Sequence, residues 1–580
     1  MSAAADDFYY ATAVLGDDGV ALMAIFGSSI PAHIIINELT TVAAAYCAAQ
    51  FLTGGTIEGS AFALSIVAAM NANLIDHHNG GVSRLMTHSP NGDETNSCRS
   101  LMSLANFLTS AVRARGGVLT ALYTLTTPPN GSAPTNTIEA LGNLARNPAN
   151  HVGGIFVQSK LASVYGPALR EQPDAWTIVV KVNDSGDKTR MFGGPGSVAF
   201  DAQGRAWIPN NVVQGQPYSS PYSIVLDLSG RPVKDAGGNP LSPISGGGLL
   251  GAGFGVAIDA EQNGWIGDFG WGGDAYFPVG SVSKFNADLV AVSPAPNGYT
   301  QGGMNRVQGV VVDPSGNVWL AGWGNGTVVC YRHGRPDDWC VYGDSSGTFK
   351  PFGIAIAADG TAWVANSDAS DSYLINLALP SDRKPGALMS VVRQTQRIGK
   401  VMKGVQIDAK GNVWVGSGSD HHVYVFDANG ALIGGYQGGG INGPWGIALD
   451  GADNLWVGNF GPLEVGTVFH GRLTQLAGAN ATGYLFGDAM TPPTGYTLPS
   501  AGCPVLLADG TPLYGEGGPD CFIPMMRTTG LGVDAAGNVW TCNNWKPNFD
   551  VDIGDPFTNT AGNPGGDGML IWLGLATPKG

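Results

Sequence analysis

Gly309-Val-Val-Val-Asp-Pro-Ser-Gly-Asn-Val-Trp-Leu-Ala-Gly322 reads as a short apolar strand, a tight turn and a second strand that carries a Trp. Asp-x-x-Gly-Asn suits such a turn, because the Asp side chain caps the turn backbone while Gly and Asn tolerate positive φ. Six further copies centre on Asp201 to Trp207, Asp259 to Trp265, Ala358 to Trp363, Asp408 to Trp414, Asp450 to Trp456 and Asp534 to Trp540. A self-similar hairpin recurring every roughly 40 to 60 residues marks a propeller, one hairpin to a blade. Seven Trp anchors therefore predict a mainly β chain with a seven-bladed β-propeller. Six blades is the alternative, if the Ala358 copy, whose Asp is displaced, has another job. The stretch from Trp456 to Trp540 is too long for one blade and predicts an insertion around 465–530. The Trp strand is expected near the hub.

The Gly-Val-x-x-Asp-x-x-Gly-Asn-Val-Trp-Val pattern resembles NHL-type repeats and the related propellers of streptogramin lyases and gluconolactonases. It covers the chain from about residue 190 to the end. The resemblance implies the fold; propellers host unrelated activities, so it implies a reaction only weakly. The N-terminal part, with Ile36-Asn-Glu-Leu-Thr-Thr-Val-Ala43 and Ala145-Arg-Asn-Pro148, resembles the helical region that precedes such propellers in bacterial exported proteins.

The chain's 580 residues suffice for two full cores. Low charge (13%), 88 Gly and a net charge of −16 fit an exported β protein. That acidity argues against nucleic acid and anionic membrane as partners. No stretch reaches the ~18 to 20 apolar residues of a membrane span. Met1 to Asp7 lacks a signal peptide's basic and apolar regions, so a secreted, periplasmic or cell-surface location implies a leader outside this chain.

Organisation follows from period. Phe8 to Val14 alternates as a strand, and His33 to Asn37 reads as another. From Asn37, a candidate N-cap, helices are expected to about residue 52 and then at about 58–76, 96–115, 117–126 and 135–146. Residues 1–150 thus form a mainly helical domain, 151–183 a connector with a closing strand, and 184–580 the propeller. Trp176 to Val182 is expected to pair with Met569 to Leu573 in the last blade, since closure removes open strand edges.

Candidate chemistry is sparse. Three residues after each Trp stand Asn210, Asp268, Gly322, Asn366, Ser417, Asn459 and Asn543. Asn210, Asp268, Asn366, Asn459 and Asn543 are turn residues on one reading. On another they are oxygen ligands for Ca²⁺ or another divalent cation at the channel mouth. Trp271, Trp323, Phe460 and Trp545 near the same turns suit a flat protein or carbohydrate ligand. His421 and His422 beside Asp420 are the candidate catalytic groups. Cys330 with Cys340 and Cys503 with Cys521 have spacings that suit local disulfides; Cys47 and Cys98, on predicted helices, could pair, and Cys542 is then the odd one. No acid, base and nucleophile converge in the sequence, so an exported, non-catalytic binding propeller is the expectation, and an oligomer is compatible with it. A metal-assisted lyase or lactonase acting in the channel is the alternative.

Overall fold

The computed structural model describes residues 2–5, 8–211, 219–270, 280–344, 346–370, 372–461, 471–498, 524–544 and 567–579. Seven sheets form the seven blades of a propeller, antiparallel throughout except where the short strand Ala387–Leu388 joins the third in parallel. Each begins with a strand on the axis, crosses the Asp-x-x-Gly-Asn turn and returns on the Trp strand. Blade 3 shows the pattern: Val307–Val312, then Val318–Gly322, Thr327–Tyr331 and Trp339–Gly343. The Trp strand is therefore second from the axis, and the Gly-Val strand is the innermost. The two positions are set by size: only the glycine strands can come close enough to meet around the axis.

The turn Asp is a brace shared by two levels of structure. In blade 3, Asp313 Oδ1 accepts from the backbone N–H of Ser315 and Asn317, and Oδ2 accepts from Asn317 Nδ2 and Trp319 Nε1. The Asp-to-indole bond recurs in six blades at 2.8–3.1 Å. Blade 4 contains the Ala358 copy and is a full blade, with strands Pro351–Ile356, Ala362–Asn366, Leu374–Ala378 and Ser390–Gln394. There Ala357 stands where the Asp would be, and Asp359 caps the turn through Thr361 instead. The region expected as an insertion supplies Arg472–Leu476 and Tyr496–Thr497 to blade 6; residues 499–523 lie outside the described residues.

The last blade is a clasp. Val179–Val182 pairs antiparallel with Met569–Trp572, Val182 opposite Met569 and Val179 opposite Trp572. The free edge of that strand is covered by Asn91, which donates to the Lys181 carbonyl at 2.9 Å and accepts from its N–H at 2.8 Å. Lys181 Nζ is fully buried between Glu94 at 3.0 Å and Asp567 at 2.7 Å.

Helices Glu38–Cys47, Ala61–Leu74, Ser97–Ala114, Gly116–Leu125 and Thr137–Arg146 stand where the sequence places them. Asn37 caps the first, accepting from Thr40 N–H. Two readings are corrected. Residues 33–37 are irregular, and the strand after Phe8–Val14 is Ala21–Gly27, an apolar run buried against helix Glu38–Cys47. Val152–Ser159, inside the expected connector, is a helix. The helical part shares one core with the clasp: Tyr46, Leu104, Trp176, Trp540 and Ile571 belong to the same buried cluster. It packs on the turn side of blades 7 and 1, where Asn73 Nδ2 reaches the Ser229 carbonyl and Gln50 Nε2 the Gly574 carbonyl. No helix among the described residues is long and apolar enough to cross a membrane.

Candidate functional site at the axial mouth

The axis is built from three stacked rings, one residue from each innermost strand. The middle ring is glycine: Gly196, Gly255, Gly309, Gly353, Gly404, Gly446 and Gly530. A Cβ on any of them would come inside 3.0 Å of the next blade's backbone. The ring on the turn side is Ser197, Val256, Val310, Ile354, Val405, Ile447 and Leu531. The ring at the mouth, on the side away from the helices, is Pro195, Phe254, Gln308, Phe352, Lys403, Trp445 and Thr529. The ring residues other than Pro195 and Lys403, with Val311 and Gln406, line an open cavity of about 140 Å³ walled by glycine backbone, aliphatic and aromatic side chains and the polar Ser197, Gln308, Gln406 and Thr529.

Aromatics from alternate blades close the mouth. Phe254 lies 5.6 Å from both Phe352 and Trp445, and Phe352 lies 5.8 Å from Trp445, all between ring centroids. Lys403, from the blade between the last two, sets its Nζ 4.0 Å from each of their centroids. Lys403 is only 6% exposed, and burial alone pulls its ammonium down to about 7. Phe460 stacks on Trp445 at 4.4 Å, and Arg527 lies over Phe460 at 4.8 Å, donating to its carbonyl. Among the described residues, Trp445 Nε1 and Gln308 Oε1 are buried and have no hydrogen-bond partner. Thr529, Ser197 and Gln406 add further polar side chains along the axis. Across the mouth, Arg306 covers Phe269 and Lys350 covers Trp323.

The candidate metal ligands do other work. Asn210, Asp268, Asn366, Asn459 and Asn543 are fully buried, and each side-chain oxygen accepts a backbone N–H leading into its own blade's inner strand. The donors are Gly194, Leu250, Lys350, Asn442 and Met526, at 2.7–3.2 Å. Ser417 does the same for Lys400, and Asn325 replaces the missing side chain at Gly322 by accepting from Asn305. Burial pushes the Asp268 carboxyl up to about 8 against hydrogen bonds from Ser283 and Ser281. Among the described residues no group of three or more His, Cys, Asp and Glu side chains could hold a metal ion.

Asp420, His421 and His422 share one loop of blade 5, where His422 Nδ1 lies 2.7 Å from the Asp420 carbonyl and 3.8 Å from its carboxylate. Asp420 accepts from Ser417 and Tyr424, while His421 Nδ1 accepts from Gly443 N–H at 2.9 Å. The His422 ring stacks on Tyr424. Trp323 and Phe460 stand at the mouth; Trp271 and Trp545 lie outside the described residues. Cys330 and Cys340 do face each other across adjacent strands, yet both are free thiols, Cys340 Sγ contacting the Cys330 carbonyl at 3.9 Å. Spacing fixes their register, and full burial within the blade 3–4 core holds them as small apolar side chains. Cys47, Cys98 and Cys542 are likewise buried free thiols, and Cys503 and Cys521 lie outside the described residues.

No family model matches the chain, and no curated protein sequence does. Among solved structures it is similar to virginiamycin B lyase from Staphylococcus aureus, with 12% identity, 50% of this chain and 76% of that chain covered, and a TM-score of 0.32. It is also similar to a gluconolactonase from Xanthomonas campestris, at 17% identity, 48% and 86% coverage and a TM-score of 0.31. A third is the extracellular domain of a hybrid two-component system from B. thetaiotaomicron, at 12% identity and a TM-score of 0.40; the match covers 69% of this chain but only 42% of that one. At such identities and scores the seven blades rest on this chain's own strands.

Proposed function

We propose that the protein is an exported, NHL-type β-propeller that binds a ligand at its axial mouth without transforming it. The observation that supports this most is the make-up of the convergent site: three aromatic rings with a buried ammonium between two of them, above an axial cavity lined by glycine backbone, aliphatic side chains and the uncharged polar Ser197, Gln308, Gln406 and Thr529. Apolar faces with a few placed polar groups are what recognition requires. Size points the same way. A cavity of about 140 Å³ is below the ~300 to 1,000 Å³ of sites that enclose an ordinary substrate. A macromolecular partner, protein or carbohydrate, would meet the face of the mouth, where Trp323 and Phe269 are partly exposed. The test is turnover of lactones, esters and glycosides by the purified protein, with elemental analysis of the same sample. Turnover abolished by a substitution on the axis, or a stoichiometric divalent metal required for it, would overturn the proposal.

A further inference from the structure

We infer that the clasp is covalent: Lys181 Nζ and the Asp567 side-chain carboxyl condense to an amide, with Glu94 as the proton shuttle. Position is the first observation. Lys181 lies on the strand that precedes the first repeat, and Asp567 stands just before the C-terminal strand that pairs with it. The Lys181 side chain is fully buried with Nζ 2.7 Å from Asp567 Oδ1, so the nitrogen touches the carboxyl whose carbon it would attack. Both partners are held in place. Asn91 binds the N–H and the carbonyl of Lys181, and Asn183 donates to Asp567 Oδ2 at 2.8 Å. Groups fixed in contact react as if at effective concentrations of about 10⁵ M and above.

Burial is the second. In water an ammonium and a carboxylate do not condense, because the amine carries no free electron pair and the carboxylate is a poor electrophile. Desolvation penalises both charges and so narrows the gap to the neutral pair, formed when one proton passes from nitrogen to oxygen. Asp567 and Glu94 outweigh burial and keep Lys181 an ammonium at rest. The reaction draws on the minor, neutral pair.

Glu94 is the third. Its Oε2 lies 3.0 Å from Nζ, and burial raises its carboxyl above the ordinary value, which makes it the better proton acceptor. The steps balance. One ammonium proton passes to Asp567 Oδ1, Nζ attacks Cγ, and the C–N bond forms. The Glu94 carboxylate takes a second proton from the nitrogen and delivers it to the departing hydroxyl, so the C–O bond breaks and water leaves. One ammonium and one carboxylate become one neutral amide and one water, with Glu94 restored and nothing oxidised or reduced. The amide joins segments on either side of all seven repeats. It therefore constrains the unfolded chain as a disulfide around a very long loop would.

Intact mass spectrometry of the denatured full chain, followed by tryptic mapping, tests this. The protein is expected one water lighter than its sequence mass, with a branched species joining the peptide of Lys181 to that of Asp567 and no cleavage after Lys181. Asp567→Ala should return to its own sequence mass. A folded Glu94→Gln variant should carry the link in less than about a tenth of its molecules. Folded wild type at its full sequence mass overturns the inference, and that reading needs no variant to fold. A lost water without the branched peptide overturns it too, because Asp567-Gly568 can dehydrate on its own backbone to a cyclic imide. A Glu94→Gln variant linked as fully as wild type overturns the part assigned to Glu94.

Discussion

At the scale of single residues, one carboxylate in each of six blades ties a turn to a core Trp, and one lysine on the axis has no such tie. Asp313 meets two backbone N–H groups, an amide and an indole, all within its own hairpin. Asp313→Ala leaves buried donors unmet at several points and is expected to destabilise the protein by about 2 to 4 kcal/mol. In blade 4, where that Asp is already absent, Asp359→Ala should cost less than 1 kcal/mol, because its bonds to Thr361 are solvent-exposed. Urea unfolding of both variants checks the contrast; equal losses would refute the brace. Lys403 makes the opposite prediction. Its folded-state value of about 7 lies below the 10.5 of an ordinary lysine, so between those values the unfolded chain binds more protons. Stability from this group therefore rises with pH through that window. Lys403→Met should be more stable than wild type by at most about 5 kcal/mol below pH 7. The gain should shrink steadily and vanish near pH 10.5. A stabilising loss of this kind is what a residue retained for binding shows. Denaturation midpoints at pH 6 and pH 10 decide it, and a variant less stable at pH 6 would sink the argument.

Elements were largely legible in the sequence because each carries its own punctuation. The turn phrase fixed seven hairpins, and Asn37 marked a helix start that the structure caps as expected. The misreadings have physical causes. Val152–Ser159 contains Gly153 and Gly154 and looks like a linker, yet Gly154 packs against Leu125 too closely for a larger residue. Of the mouth, Trp323 and Phe460 were legible as aromatics just past the Trp strands, but the axial ring between them was not. Its residues occupy the column just before the ring glycines, where Pro195, Phe254, Gln308, Phe352, Lys403, Trp445 and Thr529 share no chemistry, so no repeat pattern reveals them. Their contacts join blades far apart in sequence, which only closure of the ring brings together. The clasp, by contrast, is an element-scale device whose cost can be stated. Burial pulls the Lys181 ammonium down, but Asp567 and Glu94 outweigh it and hold the group above its ordinary value. Lys181→Met strands two carboxylates and should cost about 3 kcal/mol. Deleting residues 1–183 removes the strand itself and should give aggregation through the open edge of Met569–Trp572. Deleting only 1–150 keeps the strand but strips Asn91, Glu94 and Tyr46 from it, so a soluble protein melting well below the full chain is expected. If the 1–183 deletion is soluble and melts like the full chain, the strand does not close the ring.

The whole molecule is governed by how tightly seven sheets meet around one line. Each ring glycine lets its inner strand touch the next blade's backbone, as Gly309 touches Phe352 and Gly353 touches Lys403. Seven such contacts set the channel's bore, hence the small cavity and the meeting of Phe254, Phe352 and Trp445 across the axis. A methyl group added to the ring has nowhere to go, because what it meets is the Phe352 carbonyl and not a side chain that can turn aside. Gly309→Ala should therefore push blades 3 and 4 apart, costing several kcal/mol by the overpacking of a closed core. A control separates this from the general cost of replacing glycine. Gly360 sits in a turn at φ +79 with nothing within 4 Å of an added Cβ, so Gly360→Ala bears only conformational strain, about 1 kcal/mol. Urea unfolding of the two variants reads the difference. Equal stability losses would mean that the blades can part at Gly309 without cost, and that the ring of glycines does not set how tightly the seven sheets meet.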